Sequence, residues 1–150
     1  MSGRTLLIMG GWLSVLAAAL HIAVIIGGPN WYRFFGAGEA MAHMAERGDL
    51  YPVLITLAIA AILAIWGAYA FSGAGLIPRL PLLRTGLITI SAIYLLRGAV
   101  FVPIIAMSGQ PVSAFAYWSS AIVLVYGLAY ALGTWLSWSS LRPLGGTALS

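Results

Sequence analysis

The sequence contains no cysteine and no lysine, and it has only three acidic residues. Without cysteine the chain has no disulfide, no thiolate nucleophile and no cysteine-ligated zinc or iron–sulfur centre. Without lysine it has no phosphate-binding glycine loop of the type that ends in lysine. Asp49 is the one aspartate, and no serine has the surroundings of a nucleophile, so a Ser-His-Asp triad is not credible. These absences remove the common catalytic signatures.

Charge of either sign is scarce over the 150 residues. Charged residues make up 7% of the chain and hydrophobic residues 62%, whereas a soluble domain carries roughly 25% charged residues. The mean hydropathy is +1.02. Such a chain cannot cover its own surface in water, so we predict an integral membrane protein. A soluble enzyme, a nucleic-acid-binding protein and a disordered tail are excluded.

Long apolar runs define the expected architecture. A membrane-spanning helix needs about 20 mainly apolar residues. Four stretches meet this requirement, at about 5–27, 51–71, 85–107 and 115–136. We therefore predict an all-α fold, a four-helix transmembrane bundle that forms a single domain over 1–150. Small residues at i, i+4 spacing, which permit close helix packing in lipid, mark three of the spans: Ala19, Ala23 and Gly27; Ala60, Ala64 and Ala68; Gly127 and Ala131.

The positions of the arginines indicate how the chain is oriented. Arg4, Arg79, Arg84 and Arg142 lie at the N-terminus, in the second connection and at the C-terminus, which share one side if there are four spans. Connections rich in arginine stay in the cytoplasm. We therefore predict that both termini are cytoplasmic and that the first and third connections lie outside.

The first connection carries all three acids and a polar stripe. Residues 37–47 are predicted to form a short amphipathic interfacial helix, on which Glu39, His43 and Glu46 share one face. Such a stripe has three interpretations: a divalent metal site with His21 as a fourth ligand, an acid/base pair, or a solvated face whose acids meet Arg33, Arg47 or Arg97. No His-Glu-x-x-His motif is present, so we favour the solvated face.

No cofactor or metal is assigned from the sequence. Haem held by His21 and His43 is conceivable, but one histidine lies in a span and the other in a connection. This arrangement does not favour paired axial ligands, so we expect neither haem nor a metal ion.

Arg97 and His21 are the polar candidates inside the spans. An arginine near the bilayer centre costs about 2.5–3.5 kcal/mol on insertion scales and is by default a functional candidate. No acid lies within a span to pair with Arg97, so its counter-charge must come from the outer connection, a bound anion, a lipid headgroup or backbone carbonyls. The alternatives are structural: Arg97 extends outward to the interface or fastens its span to the outer connection, and His21 makes an interhelical hydrogen bond.

Several segments carry a resemblance. WYRFFGAGE at 31–39, AFSGAGL at 70–76, LPLLRTGL at 80–87 and IYLLRG at 93–98 resemble a group of small bacterial four-helix integral membrane proteins without an assigned activity. The resemblance implies the four-helix fold and a bacterial inner-membrane location, and it implies no function. In size and helix count alone the chain is distantly similar to the DoxX-like and sterol-isomerase-like families, from which no site residue is carried over.

Three functional hypotheses follow. The leading one is a non-enzymatic membrane protein that binds a lipid-like or apolar ligand, or that acts as an accessory subunit of a membrane assembly. Arg97, His21 and Glu39 would form its polar patch, with Tyr94 in the wall. The alternative is a small membrane enzyme acting on a lipid or isoprenoid, in which Glu39 or His43 transfers a proton and Arg97 stabilises negative charge. The third is a channel or transporter subunit. The expected partners are the lipid bilayer and a lipid-like ligand or membrane protein, and no nucleic acid.

Overall fold

The computed structural model describes residues 1–109 and 111–141, and all of the regular secondary structure in that part of the chain is helical. There are four long helices and two short ones in the described residues. In chain order they are α1 (Gly3–Gly27), α2 (Pro29–Phe34), α3 (Glu39–Glu46), α4 (Tyr51–Gly73), α5 (Leu83–Met107) and α6 (Ala114–Leu136).

The four long helices confirm the predicted four-helix bundle, since each is long and apolar enough to cross a membrane. Their ends lie close to the predicted ones for local reasons. The Ser2 side chain accepts a hydrogen bond from the Thr5 amide at the start of α1, and Ser113 does the same for Ala116 at the start of α6. These side chains satisfy amides that have no partner within the helix.

The bundle is built around α1 and α6. Helix α1 packs along both α4 and α6, and α6 also packs along α5, whereas α4 and α5 meet over a smaller area. The interior holds a core of buried side chains from all four spans: Leu7, Ala18, Ala60, Leu63, Ala70, Leu87, Ile90, Tyr94 and Tyr130. Large apolar side chains such as Leu16, Leu54, Leu96 and Trp118 are exposed on the outside. That distribution suits a protein whose surroundings are lipid.

Glycines allow α5 and α6 to approach each other closely. A Cβ atom built on Gly98 of α5 would lie 2.9 Å from the backbone nitrogen of Leu124 in α6, and one on Gly127 would lie 2.9 Å from that of Leu95. The two helices therefore approach through reciprocal glycines, as small residues permit in lipid. The predicted alanine stripes contribute less, because Ala64 is exposed although Ala60 is buried.

The connection between α1 and α4 folds onto itself. Tyr32 of α2, Ala42 of α3 and Val24 of α1 form a small second core. The Tyr32 hydroxyl also accepts a long hydrogen bond from Thr56 of α4, at 3.4 Å between the oxygens. Where the sequence predicted one helix over 37–47, this connection contains the two short helices α2 and α3.

The bundle has two different ends. We call the end formed by the first turn of α1, residues 74–82 and the chain after α6 the arginine face, because Arg4, Arg79 and Arg84 lie there. The opposite end, which carries α2 and α3, is the loop face. Arg142, which the sequence analysis grouped with the arginines of the first of these ends, lies outside the described residues.

Candidate functional site

Arg97 lies within the membrane-spanning helix α5, near its middle. Its guanidinium carbon lies 3.5 Å from the centroid of the Phe101 ring, one helical turn further along. The buried Nη1 atom has no hydrogen-bond partner among the described residues. The cation is therefore held against an aromatic face and has no oxygen partner there.

The other arginines of the described chain differ from Arg97 because each donates to an oxygen. Arg33 and Arg47 pair with carboxylates. Arg4, Arg79 and Arg84 donate to backbone carbonyls. A cation buried without such a partner loses hydration that nothing replaces. Arg97 is thus the one described arginine whose charge is left without an oxygen partner.

The predicted polar stripe is a network of ion pairs centred on Arg33. The Arg33 Nε lies 2.9 Å from the Glu39 carboxylate, and its Nη2 lies 2.7 Å from that of Glu46. His43 lies between the two acids, with its Nδ1 2.9 Å from Glu46 and its Nε2 3.6 Å from Glu39. Among the described residues, no group of histidine and acidic side chains is arranged to hold a metal ion.

Hydrogen bonding in this network shifts two pKa values. Hydrogen bonds from Arg33, and then from His43, lower the pKa of Glu46 because they stabilise its ionised carboxylate. Hydrogen bonds to Glu39 and Glu46 raise the pKa of Arg33 in return. Because Glu39, Glu46 and His43 are exposed and Arg33 is half-buried, water screens these pairs and the network adds little to the free energy of unfolding.

The residues of the predicted patch are engaged separately in the structure. Glu39 pairs with Arg33 of α2 rather than with Arg97. The His21 Nδ1 lies 2.7 Å from the carbonyl oxygen of Ala17, one turn earlier in its own helix, and so donates to it. Tyr94 is buried in the core. Glu39 and His43, the two candidate acid/base groups, do lie side by side.

A buried hydrogen-bonded chain that the sequence analysis missed joins all four spans. The Ser14 hydroxyl of α1 lies 2.7 Å from that of Tyr130 in α6 and 2.9 Å from that of Tyr94 in α5. The Tyr130 hydroxyl donates to the carbonyl oxygen of Trp66 in α4, at 2.9 Å. Each hydroxyl has one proton. The direction is therefore set: Tyr94 donates to Ser14, Ser14 to Tyr130, and Tyr130 to Trp66.

Aromatic rings pack around this chain of hydroxyls. The Tyr94 ring makes edge-to-face contacts with Trp66 and Tyr126, at 4.9 and 5.5 Å between centroids. Two tyrosines and one serine in separate apolar spans are visible in the sequence as polar atoms that need partners. Whether these side chains meet depends on how each helix is rotated about its own axis. The hydropathy pattern does not predict this rotation, because the helices are apolar on nearly all sides.

Four apolar spans with large side chains on the outside and a hydrogen-bonded interior define the class of this molecule: it is a multi-pass integral membrane protein. Comparison with protein-family models, curated proteins and solved structures finds nothing that matches this chain. A proposal about the function of this protein therefore rests on the geometry of its own structure.

Proposed function

We propose that this protein binds an anionic, lipid-like molecule from within the bilayer, with Arg97 as the residue that contacts the anionic group. The observation that carries the proposal is the guanidinium of Arg97, part-buried in a membrane-spanning helix without an oxygen partner in the described chain. We infer no reaction at this site. The proposal retains the leading hypothesis from the sequence and narrows the binding group to one residue.

The energetics of Arg97 favour an external partner. An arginine near the bilayer centre costs about 2.5–3.5 kcal/mol, while a cation–π contact such as the one with Phe101 returns about 0.5–2 kcal/mol. The ring therefore offsets only part of the cost. An anionic headgroup would offset the rest, because a charge-assisted hydrogen bond is among the strong polar contacts.

The surroundings of Arg97 suit a ligand that enters from lipid. Leu96 and Val100 flank it on α5, and both are exposed on the apolar outside of the bundle. An amphiphile could place its chain along these residues while its acidic group meets the guanidinium. An accessory subunit that presents an acidic side chain is the other partner chemistry this position fits.

The acid/base alternative receives less support from the loop face. The side chains of Glu39 and His43 are 66% and 58% exposed, and Glu39 is already paired with Arg33. A proton-transferring carboxyl works best in a dry pocket next to its substrate, whereas the Glu39 carboxylate is exposed to water and bound to an arginine. The enzyme hypothesis stays a prediction that Glu39→Gln would test by loss of turnover on a lipid substrate.

The same proposal includes the orientation in a bacterial inner membrane, with the arginine face in the cytoplasm. The support is the charge bias, since Arg4, Arg79 and Arg84 lie on one face while the acids lie on the other. Because the chain has no cysteine, Ala40→Cys introduces a unique thiol on α3. We expect an impermeant maleimide to label it on intact spheroplasts, and protection from labelling would reverse the assigned orientation.

Native mass spectrometry of protein released gently from its own membrane tests the binding proposal. We expect a discrete bound mass on the unaltered protein and its loss in Arg97→Gln. Arg47→Gln is the matched control, because Arg47 is an exposed arginine with a single carboxylate partner, Asp49. The Arg47→Gln variant should carry the same bound mass as the unaltered protein. A larger protein complex lost in Arg97→Gln would identify the partner as a subunit instead of a lipid.

Arg97→Leu separates ligand binding from a purely structural role. If Arg97 is unpaired until an anion binds, Arg97→Leu removes a desolvated charge from the ligand-free protein. The melting temperature of that variant in detergent should then equal or exceed that of the unaltered protein. If Arg97 fastens the helices, the melting temperature should fall. A fall in melting temperature, together with no bound mass on the unaltered protein, would refute the proposed function.

A further inference from the structure

A second site, unrelated to Arg97, lies on the arginine face. A cavity of about 460 Å³ opens there, and Arg79, Arg84 and Thr85 contribute its polar lining. A neighbouring cavity of about 320 Å³ is lined by Arg4 and again by Arg79. Arg79 thus lies between two cavities that together bring three arginines to one end of the bundle.

The arginine face has no acidic side chain among the described residues. All of the acids of the chain are Glu39, Glu46 and Asp49, and these pair with Arg33, His43 and Arg47 on the loop face. The arginines of the opposite end interact only with uncharged partners in the described chain. No described side chain therefore neutralises their summed positive potential.

The contacts of Arg84 hold its guanidinium group beside the cavity. Its Nη2 donates to the carbonyl oxygen of Trp138 at 2.6 Å, and its guanidinium carbon lies 4.4 Å from the centroid of that indole ring. Its Nε is buried and has no partner among the described residues. Trp138 therefore positions the guanidinium plane without using all of its hydrogen-bond donors, and a planar fork of this kind matches phosphate oxygens.

The N-terminus of α5 adds to the positive potential at the cavity. Arg84 and Thr85 belong to its first turn, and no side chain caps the amides of that turn. A helix N-terminus carries partial positive charge, so it reinforces the two arginines that line the cavity. The cavity also has an apolar edge, since Leu82 contributes to its lining and is 79% exposed.

From these observations we propose that the cavity between Arg79 and Arg84 binds the phosphate group of an anionic phospholipid. Phosphate is the shared chemistry of a lipid headgroup and free inorganic phosphate. The exposed leucine next to the arginines favours the lipid, because acyl chains can cover it while the phosphate meets the guanidinium groups. Basic sites between spans at the cytoplasmic side bind acidic headgroups by this combination of charge and apolar contact.

The test uses the full chain with Arg97→Gln as the reference protein, so that the site proposed at Arg97 does not retain anionic lipid. The reference protein is placed in nanodiscs of equal parts phosphatidylglycerol and phosphatidylcholine, and the retained lipids are measured by native mass spectrometry. We expect it to retain phosphatidylglycerol in preference to phosphatidylcholine. Because each arginine near an anionic surface contributes a factor of roughly five to binding, Arg79→Gln with Arg84→Gln should reduce this preference roughly 25-fold. Arg47→Gln on the loop face should leave it unchanged.

A blocking experiment on the same reference protein locates the site without altering an arginine of the cavity, which protects the test against a cavity variant that fails to fold. Leu82→Cys gives a unique thiol at the cavity, and a bulky maleimide on it should abolish the retention of phosphatidylglycerol. The same label on Ala40→Cys, exposed on α3, is the control and should have no effect.

Three results would overturn the proposal. The first is an absence of preference for phosphatidylglycerol in the Arg97→Gln reference protein, and the second is a preference that survives the blocked Leu82→Cys. The third is displacement of the lipid by millimolar inorganic phosphate, which would make free phosphate the ligand. Because Arg97 is replaced in all of these measurements, their failure would leave the proposed function at Arg97 untouched.

Discussion

The hydroxyl of Ser14 lies 2.7 Å from the hydroxyl of Tyr130, and both residues are fully buried between α1 and α6. This contact is the centre of the chain of hydroxyls that runs from Tyr94 to the carbonyl of Trp66. In lipid the hydrophobic effect does not drive helices together as it does in water. Buried interhelical hydrogen bonds and close packing therefore stabilise the bundle.

Ser14→Ala should lower the free energy of unfolding measurably. The substitution removes the acceptor of Tyr94 and the donor to Tyr130, two interhelical bonds that are worth about 0.6 kcal/mol each on average in membrane proteins. We expect a loss of about 1–2 kcal/mol, measured by reversible unfolding in mixed micelles. Ser91→Ala is the matched control, because the buried Ser91 hydroxyl donates within its own helix to Leu87. Equal losses in both variants would mean that the interhelical network adds nothing.

Gly127→Ala should separate α5 from α6. The new Cβ would lie within 3 Å of both the side chain and the backbone nitrogen of Leu95, and backbone cannot move aside as a flexible side chain can. Overpacking of this kind costs about 1–3 kcal/mol, and the melting temperature should fall accordingly. Ala64→Val adds volume at an exposed position of α4 and should leave the melting temperature unchanged. A Gly127→Ala variant as stable as the unaltered protein would contradict this packing.

Arg33→Gln should raise the pKa of Glu46. The Arg33 hydrogen bond is the largest cause of the lowered pKa of Glu46, so its removal should move the value back toward the ordinary glutamate value of about 4.3. A lowered pKa means that the ionised carboxylate favours the folded network above its ordinary pKa. That contribution is lost as the pH falls through the lowered value.

The carboxyl carbon shift of Glu46, followed by NMR from pH 7 to pH 2.5, measures this pKa in both proteins. Arg47→Gln serves as the control, because Arg47 pairs with Asp49 rather than with Glu46. The titration of Glu46 in that variant should match the unaltered protein. An identical Glu46 midpoint in Arg33→Gln would show that the ion pair does not form in solution.

Parts of the site were accessible to sequence reasoning and parts were not. Arg97 stands out because a charge in an apolar run is costly wherever the helix points. The stripe of Glu39, His43 and Glu46 follows from helical spacing alone, and in the structure all three side chains are exposed. That Glu39 pairs with Arg33 depends instead on the turn between α2 and α3, which brings the two short helices together.

The sequence by itself determined the class of protein, the number of spans and the grouping of charge, because hydropathy and length act locally and need no knowledge of neighbours. Only the tertiary structure decided which faces of the spans meet. In lipid an apolar side chain is about equally stable inside the bundle and on its outer surface. The sequence of a uniformly apolar helix such as α4 therefore does not indicate which of its faces packs against the other helices. Ser14, Tyr94 and Tyr130 acquire their partners, and Arg79 and Arg84 their shared cavity, only when the helices are assembled.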